Sequence, residues 1–217
     1  TTKNRPQQRP QSPPLLLSGP PISCCEASPL VGLVAERADR PSLFSVARDA
    51  ALRCVELAGA ARANGIPVIW TRIALRPDYA DGGLMINEIR PGLKEVGGIK
   101  AGTDDAALID EAVVAPEDFI IDKPRNSAFF SSGLESLLHA LDVRCLVMGG
   151  VTTSMCVEST ARDSGQRDYR TFVVRDACGD FAQDRHDASL SAIEFGFGRV
   201  ISHNQALNAF SEGQADL

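Results

Sequence analysis

The sequence predicts an α/β domain, a three-layer αβα sandwich in which helices cover both faces of a mostly parallel sheet of about six strands. Short apolar stretches alternate along the chain with longer amphipathic ones, and this strand-then-helix rhythm is typical of a parallel sheet. With 217 residues, of which 44% are hydrophobic, the chain is long enough and apolar enough to bury the core of one such domain.

Apolar periodicity and helix-stopping glycines predict six strands and five helices. The predicted strands span residues 30–35, 67–71, 119–122, 145–148, 171–174 and 200–202. The predicted helices span residues 46–64, 104–113, 133–141, 155–168 and 184–195. Sites in parallel sheets form at the carboxyl ends of strands, and Thr71, Arg72, Lys123 and Cys156 all lie at or just beyond such ends.

Two stretches fall outside this rhythm. Residues 1–28 hold six of the thirteen prolines, which predicts a disordered arm or sequence foreign to the fold and leaves residues 29–217 as the domain. Residues 73–103, here named the lid segment, carry two prolines and six glycines. A connection of this length is typical either of a functional lid or of a disordered segment, and we expect a lid that covers the site.

Composition and charge exclude several classes of protein. The net charge is −6 and no run of Lys or Arg is long enough to follow a phosphate backbone, so no nucleic acid partner is expected. No stretch approaches the ~20 apolar residues of a membrane helix, so no membrane association is expected. The six cysteines lack metal-ligand spacing and favour a reducing, cytoplasmic location. The expected partner is a small-molecule substrate.

Cys156 and Lys123 are the candidate catalytic residues. Cys156 follows a predicted strand and a turn of small residues, at the start of a helix whose N–H groups favour the thiolate. Lys123 ends another predicted strand and is placed to add a positive field. The alternatives are a buried cysteine that acts only as a small hydrophobe and a solvated lysine at a strand end.

Two motifs contain these residues: residues 123–130 read KPRNSAFF and residues 150–157 read GVTTSMCV. They resemble the signatures of the isochorismatase-like cysteine hydrolases, a Lys followed by Ser-Ala-Phe and a Gly-Val-Thr-Thr-x-x-Cys-Val turn. The resemblance covers about residues 43–205 and includes ARANGIPVIWTR at residues 61–72 and VVRDA at residues 173–177. Two independent motifs in the right order make the match specific.

The resemblance implies a site as well as a fold. It implies that Cys156 attacks a carbonyl carbon and that Lys123 holds the thiolate and the transition state, while an aspartate of the first strand acts as the base. It also implies a cis peptide bond between Val151 and Thr152, which aims the backbone N–H groups of Thr152 and Cys156 at the developing oxyanion.

The first strand departs from the family pattern, which ends in a hydrophobic residue, Asp, any residue, and Gln or Asn. Residues 33–39 read LVAERAD instead. Glu36 matches the base by position and is the candidate, whereas Asp39 matches by residue type but lies in the following loop. Together with the Pro-rich arm, this mismatch supports the hypothesis that residues 1 to about 40 derive from a shifted reading frame or a misplaced start.

The expected activity is hydrolysis of a C–N bond in a small amide, ureido or N-carbamoyl compound through a thioester on Cys156. The flanks of both motifs look most like the branch of the family that contains ureidoacrylate and N-carbamoyl amidohydrolases. Two alternatives stay open: a vinyl-ether hydrolase of the isochorismatase type, and a binding or scaffold protein that has lost its base.

Further expectations concern substrate binding, metals and assembly. Arg125 is the candidate for binding a substrate carboxylate, with Arg72 and Arg185 as alternatives, although each also suits a surface salt bridge. The three histidines lie far apart in the sequence and are expected at surface or capping positions, so we predict no metal and no cofactor. Trp70 is expected in the core. The resemblance implies a homo-oligomer, either a dimer or a tetramer.

Overall fold

The computed structural model of the chain describes residues 29–34 and 44–212. The predicted arm and the candidate bases Glu36 and Asp39 lie outside the described residues, so the assignments made for them stay predictions. The strands are β1 (Pro29–Val34), β2 (Val68–Ile73), β3 (Phe119–Lys123), β4 (Cys145–Val151), β5 (Arg170–Gly179) and β6 (Arg199–Ile201). The α-helices are α1 (Phe44–Ala63), α2 (Gly92–Glu95), α3 (Leu134–Ala140), α4 (Glu158–Gly165), α5 (Gln183–Gly196) and α6 (His203–Glu212).

The strands form one parallel sheet with the order β3-β2-β1-β4-β5-β6. This confirms the predicted α/β class and its mostly parallel sheet. β1 and β4 are neighbours at the centre, and the chain builds outward from them toward opposite edges in its two halves. Such a reversal is a topological switch point, where the carboxyl ends of the strands leave a crevice. The topology alone therefore indicates where a site lies.

Helices on both faces of the sheet complete the expected three layers. β4 is buried along its whole length, and its side chains alternate between the faces. Val147 joins a core built with α1 and α6, whereas Leu146 and Met148 join a core built with α3, α4 and α5. Trp70 is fully buried in the first core, as predicted, and its indole N–H donates to a carboxylate oxygen of Asp118 over 2.9 Å.

Two glycines near the end of β4 allow its neighbours to approach closely. A Cβ atom at Gly149 would lie 2.8 Å from the carbonyl oxygen of Ala177 in β5 and 3.1 Å from the sulfur of Cys54 in α1. Gly150 has a φ of 135°, in a region that residues with side chains rarely adopt. The pair therefore lets α1, β4 and β5 pack tightly just before the site begins.

The helix predicted over residues 104–113 is wrong. Only Asp104–Ala106 forms a 3₁₀ turn, and residues 107–118 continue as turns and irregular chain. The Asp105 carboxylate accepts the backbone N–H of Ile99 rather than supporting a helix in its own segment, which is how Asp side chains compete with helical hydrogen bonding.

Three other elements differ from the sequence prediction. α6 was not predicted, although its buried residues Ala206 and Phe210 have the helical spacing of four. The helix expected over residues 155–168 begins as a π-helical turn at Thr153 and ends at Gly165, and β5 continues well beyond residue 174. No helix in the described part of the chain is long and apolar enough to cross a membrane.

The close packing at Gly149 gives a stability prediction. We expect Gly149→Ala to lower the free energy of unfolding by about 1–3 kcal/mol, because the added methyl group collides with backbone that cannot move aside easily. Gly59→Ala in α1 is the matched control, since a Cβ atom there meets nothing within 4 Å and alanine favours a helix by up to ~1 kcal/mol. Urea denaturation followed by circular dichroism measures both, and equal stability of the two variants would contradict the packing argument.

Candidate active site

A cavity of about 180 Å³ opens at the carboxyl ends of the strands, at the position that the topology indicates. Four strands deliver residues to its wall, either at their last residue or in the chain that follows: Ile73 from β2, Asn126 after β3, Thr152 and Cys156 after β4, and Phe181 after β5. The strand ends that the sequence singled out therefore do converge, although Thr71 and Arg72 do not line the cavity themselves.

The lid segment lies over this cavity, as expected from its length. It contains a π-helical turn (Met85–Ile89) and α2, and it lines the cavity with Met85, Arg90, Leu93 and Ile99. Its base is tied together by two backbone hydrogen bonds: the Leu75 N–H donates to the Ile99 carbonyl over 2.8 Å, and the Ala101 N–H donates to the Leu75 carbonyl over 2.7 Å. The lid is therefore an ordered wall of the cavity.

Lys123 and Cys156 meet at the base of the cavity. The Lys123 ammonium lies 3.2 Å from the Cys156 sulfur, and it also donates to the Arg125 carbonyl oxygen over 3.3 Å. Lys123 has no exposed surface, so the alternative of a solvated lysine is wrong, while Cys156 is 2% exposed and faces the cavity. A buried ammonium next to sulfur favours the negatively charged thiolate, which is the nucleophilic form.

The sequence suggested that Cys156 lies in the first turn of a regular α-helix. It lies instead on a π-helical turn (Thr153–Val157). The Val157 N–H donates to the Thr152 carbonyl over 3.2 Å, and α4 continues from Glu158. The peptide bond between Val151 and Thr152 is cis, in agreement with the resemblance. Turns of this wide type recur at functional sites in helices.

Polar contacts from outside the turn hold it in place. The Asp180 carboxylate, which follows β5 and is itself fully buried, accepts the Ser154 N–H over 2.6 Å. The Thr160 hydroxyl donates to the Cys156 carbonyl over 2.7 Å and accepts the Ala128 N–H over 3.1 Å, which joins α4 to the chain after β3. The two motifs of the sequence are thus linked by hydrogen bonds as well as by the Lys123–Cys156 contact.

His186 of α5 supplies a further anchor for the turn. Its ring nitrogen Nδ1 lies 2.9 Å from the Thr153 hydroxyl, and both side chains are buried. The expectation of surface histidines is therefore wrong for His186 and also for His203, whereas His139 is exposed. Burial lowers the pKa of His186; Asp187 is the largest opposing influence, Arg175 lowers the pKa further, and Asp180 and Asp176 oppose it more weakly.

The arginines predicted to bind a substrate carboxylate are engaged elsewhere. Arg125 donates to the backbone carbonyls of Asp81 over 2.8 Å and Pro124 over 2.6 Å, and it does not line the cavity. Arg72 is paired with Asp122, and Arg185 lies 3.8 Å from Asp180. The structure thus assigns Arg125 a bracing position between the lid segment and the chain after β3, which a motif alone does not reveal.

Sequence reasoning missed three polar residues that do line the cavity, Arg90, Asp105 and Asn126. Asn126 lies inside the Lys-containing motif, three residues after Lys123, so its proximity to the site was open to prediction. Arg90 follows the π-helical turn of the lid segment, and no motif marks it. Its position depends on how the lid folds back over the strand ends.

The other described cysteines, Cys54, Cys145 and Cys178, are buried and form no disulfide within the described part of the chain. Burial raises the pKa of Cys178 to about 12, and burial together with the nearby Cys178 raises the pKa of Cys54 well above its ordinary value. Both thiols therefore stay protonated at neutral pH. Among the four described cysteines, Cys156 is the one that lines the cavity described above and contacts the Lys123 ammonium group.

The described residues contain no group of three or more His, Cys, Asp or Glu side chains placed to hold a metal ion. The expectation of no metal and no cofactor stays a prediction.

Among solved structures, the fold is similar to that of a cysteine hydrolase from Pseudomonas syringae pv. phaseolicola 1448A. The two superpose with a TM-score of 0.79 at 24% sequence identity, over 85% of this chain and 93% of that chain. At this level of identity the likeness establishes a shared fold.

The chain belongs to the isochorismatase family, because residues 42–205 match the family's isochorismatase domain. The ureidoacrylate amidohydrolase RutB of Methylorubrum extorquens AM1 is 35% identical over 161 residues, which cover 69% of this chain and 62% of RutB. The maleamate amidohydrolase of Pseudomonas putida KT2440 is 34% identical over 148 residues, 68% of each protein. This chain thus spans slightly less than two thirds of the length of RutB.

The Lys123–Cys156 contact predicts selective thiol reactivity. We expect iodoacetamide at pH 7 to modify Cys156 much faster than Cys54, Cys145 or Cys178, and Lys123→Met to slow that modification by about tenfold or more, because the thiolate is the reactive form. Mass spectrometry of the Cys156 peptide over time gives the rates. Lys94→Met, which removes an exposed ammonium from α2, is the control; if it slows modification as much as Lys123→Met does, the local contact is not the cause.

The buried His186 predicts how stability depends on pH. Since its pKa is lower in the folded chain than the ordinary value of about 6.5, the unfolded chain takes up the proton first. The contribution of His186 to stability is therefore complete above about pH 6.5 and is lost as the pH falls below it. We expect His186→Asn to lose less unfolding free energy than the wild type between pH 7.5 and 5, measured by urea denaturation; identical losses would refute this.

Proposed function

We propose that this protein hydrolyses a C–N bond in a small amide, ureido or N-carbamoyl compound, with Cys156 as the nucleophile. The observation that carries this proposal is the 3.2 Å contact between the buried Lys123 ammonium and the Cys156 sulfur. A thiol stabilised as thiolate at the base of a small cavity suits attack on a carbonyl carbon. The same contact favours thiol chemistry over the vinyl-ether alternative.

The proposed reaction has two halves. The Cys156 sulfur bonds to the carbonyl carbon, and the oxyanion that forms is stabilised by the Thr152 and Cys156 N–H groups and by Lys123. When the oxyanion collapses, the C–N bond breaks, the nitrogen takes up a proton and leaves as ammonia or an amine, and a thioester remains. Water then adds to the thioester carbon, the C–S bond breaks, and the acid leaves while the thiol regains its proton.

The base in both halves is proposed to be Glu36, with Asp39 as the alternative. General base assistance contributes about 10²–10⁴-fold to such reactions, so a missing base would leave a weak enzyme rather than an inert fold. The relatives named above support the substrate class, since ureidoacrylate is a ureido compound and maleamate is a primary amide.

Assembly and location are proposed along with the activity. We propose a homo-oligomer, a dimer or a tetramer, that works in the cytoplasm without a bound metal or cofactor. Light scattering after size-exclusion chromatography distinguishes the monomer from these assemblies.

The proposed activity is tested by ammonia release from a panel of carbamoyl, ureido and primary amide compounds. We expect Cys156→Ser to lower kcat/KM by about 10³-fold or more and Lys123→Met to lower it by about 10²–10³-fold.

Cys145→Ala is the control for the loss of a thiol, because Cys145 is buried at the opposite end of β4 from the cavity. It should keep nearly the wild-type rate. Full activity of Cys156→Ser on a compound that the wild type hydrolyses would remove the thiol from the mechanism.

A further inference from the structure

Arg125 contacts both the lid segment and the Lys123–Cys156 pair, through different groups. Its guanidinium nitrogen Nη1 donates to the Asp81 carbonyl of the lid segment over 2.8 Å. Its backbone carbonyl accepts the Lys123 ammonium over 3.3 Å, and that ammonium lies 3.2 Å from the Cys156 sulfur. A single residue therefore connects the position of the lid segment to the charge beside the thiol.

The Arg125 side chain also holds its own backbone. Nη1 donates to the Pro124 carbonyl over 2.6 Å, and the guanidinium carbon lies 6.0 Å from the centre of the Phe130 ring. The pyrrolidine ring of Pro124 fixes the φ of that residue, so the chain just before the Arg125 carbonyl has little freedom to turn independently of the guanidinium. A displacement of the guanidinium is thus passed on to the carbonyl that Lys123 contacts.

The lid side of this contact is fixed as well. The Asp81 carboxylate accepts the Arg76 N–H over 3.0 Å, and the Gly82 N–H donates to the Tyr79 carbonyl over 3.0 Å. Tyr79 is buried, and its hydroxyl donates to the Gly98 carbonyl over 2.8 Å, which joins the start of the lid segment to its end. The position of the Asp81 carbonyl therefore follows that of the lid segment as a whole.

Gly83 brings the lid segment directly against the guanidinium. A Cβ atom at this position would collide with Nη2 of Arg125. The φ of Gly83 is 55°, in the left-handed region that favours glycine. The lid segment and the Arg125 side chain are thus packed together without room for a further methyl group.

The Arg125 carbonyl matters because Lys123 has no exposed surface. A buried ammonium has lost the hydrogen bonds of water and needs acceptors from the protein. When the carbonyl turns away, the ammonium is held less firmly next to the Cys156 sulfur. The thiolate then loses part of the positive charge that stabilises it.

We propose that Arg125 is a positioning residue that makes the ionised state of Cys156 depend on a docked lid segment. This proposal rests on the proposed function, because it concerns the thiol that acts there as the nucleophile. While the lid segment is docked, the guanidinium keeps the Arg125 carbonyl turned toward Lys123. When the lid segment moves away, the carbonyl is released and the nucleophile is weakened, so the reactive thiolate is confined to the closed cavity.

The pH profile of thiol modification tests this proposal. Mass spectrometry gives the rate at which iodoacetamide modifies Cys156 between about pH 6 and 9.5. Arg125→Met should slow the reaction at pH 7 by about three- to tenfold, the effect of weakening one hydrogen bond. The rate at high pH should not fall, because only the thiolate fraction changes. A wider opening alone would instead raise the rate at every pH.

Arg76→Met is the matched control for the loss of an arginine. It removes an exposed guanidinium of the lid segment that pairs with Asp78, two residues further on, and it should keep the wild-type profile. The charged residues that line the cavity beside Cys156, Arg90 and Asp105, are unchanged in every variant of this series.

Gly83→Ala approaches the same contact from the lid side and keeps the Arg125 charge. The added methyl group displaces the guanidinium, so the profile should shift toward higher pH, as in Arg125→Met. Gly102→Ala is its control, because Gly102 also lies in the lid segment with a φ of 80° and a Cβ atom there meets nothing within 4 Å. The double variant of Gly83 and Arg125 should shift no further than Arg125→Met alone.

Three results would overturn the role of Arg125: an unchanged profile in Arg125→Met, an unchanged profile in Gly83→Ala, or an equal shift in Gly102→Ala. If circular dichroism shows that Arg125→Met does not fold, the two glycine variants decide. Ammonia release tests the proposed function separately. If Cys156→Ser stays fully active, that function fails, whereas the modification profiles still decide whether Arg125 couples the lid segment to the thiol.

Discussion

The site depends on the Lys123 ammonium group, a positive charge that the fold buries away from solvent. Burying an ammonium group costs several kcal/mol unless nearby groups compensate, and Lys123 is buried completely beside the Cys156 sulfur and the Arg125 carbonyl. β3 and β4 are separated by β2 and β1 in the sheet. Lys123 is level with Ile73 of β2, which packs against Cys156, so the ammonium meets sulfur only while the parallel register is kept.

Elements of the second half of the fold hold the turn that carries Cys156 in place. Asp180, after β5, holds the Ser154 N–H, and His186 of α5 holds the Thr153 hydroxyl. Both anchors contact the turn before Cys156, so its thiol is positioned by elements that come after it in the chain. β5 and α5 therefore serve the site as well as the core, although neither supplies a reacting group in the proposed chemistry.

The strands and the two motifs were predictable because apolar runs and small-residue turns leave strong local patterns. The helix over residues 104–113 was not, because an apolar pattern cannot reveal that Asp105 bonds to the distant Ile99 N–H. The Lys123–Cys156 pair was predictable from the positions of the strand ends, whereas the position of Arg90 depends on how the lid segment folds back over them. Arg125 has the positive charge expected of a residue that binds a carboxylate, and it lies in the Lys-containing motif. Its guanidinium nevertheless donates to two backbone carbonyls.

The paired hydrogen bonds at Leu75 close the lid segment into a loop whose ends are fixed beside β2. The chain between those ends still meets the site, because Met85 packs against the cluster of Ile73 and Cys156 and the Asp81 carbonyl accepts the Arg125 guanidinium. The wall of the cavity is thereby built from two separate stretches of chain, one that follows the strand ends and one that loops over them. Because the hydrogen bonds at Leu75 join backbone to backbone, a change of side chain within the loop alters the wall of the cavity while the anchoring of the loop at β2 is kept.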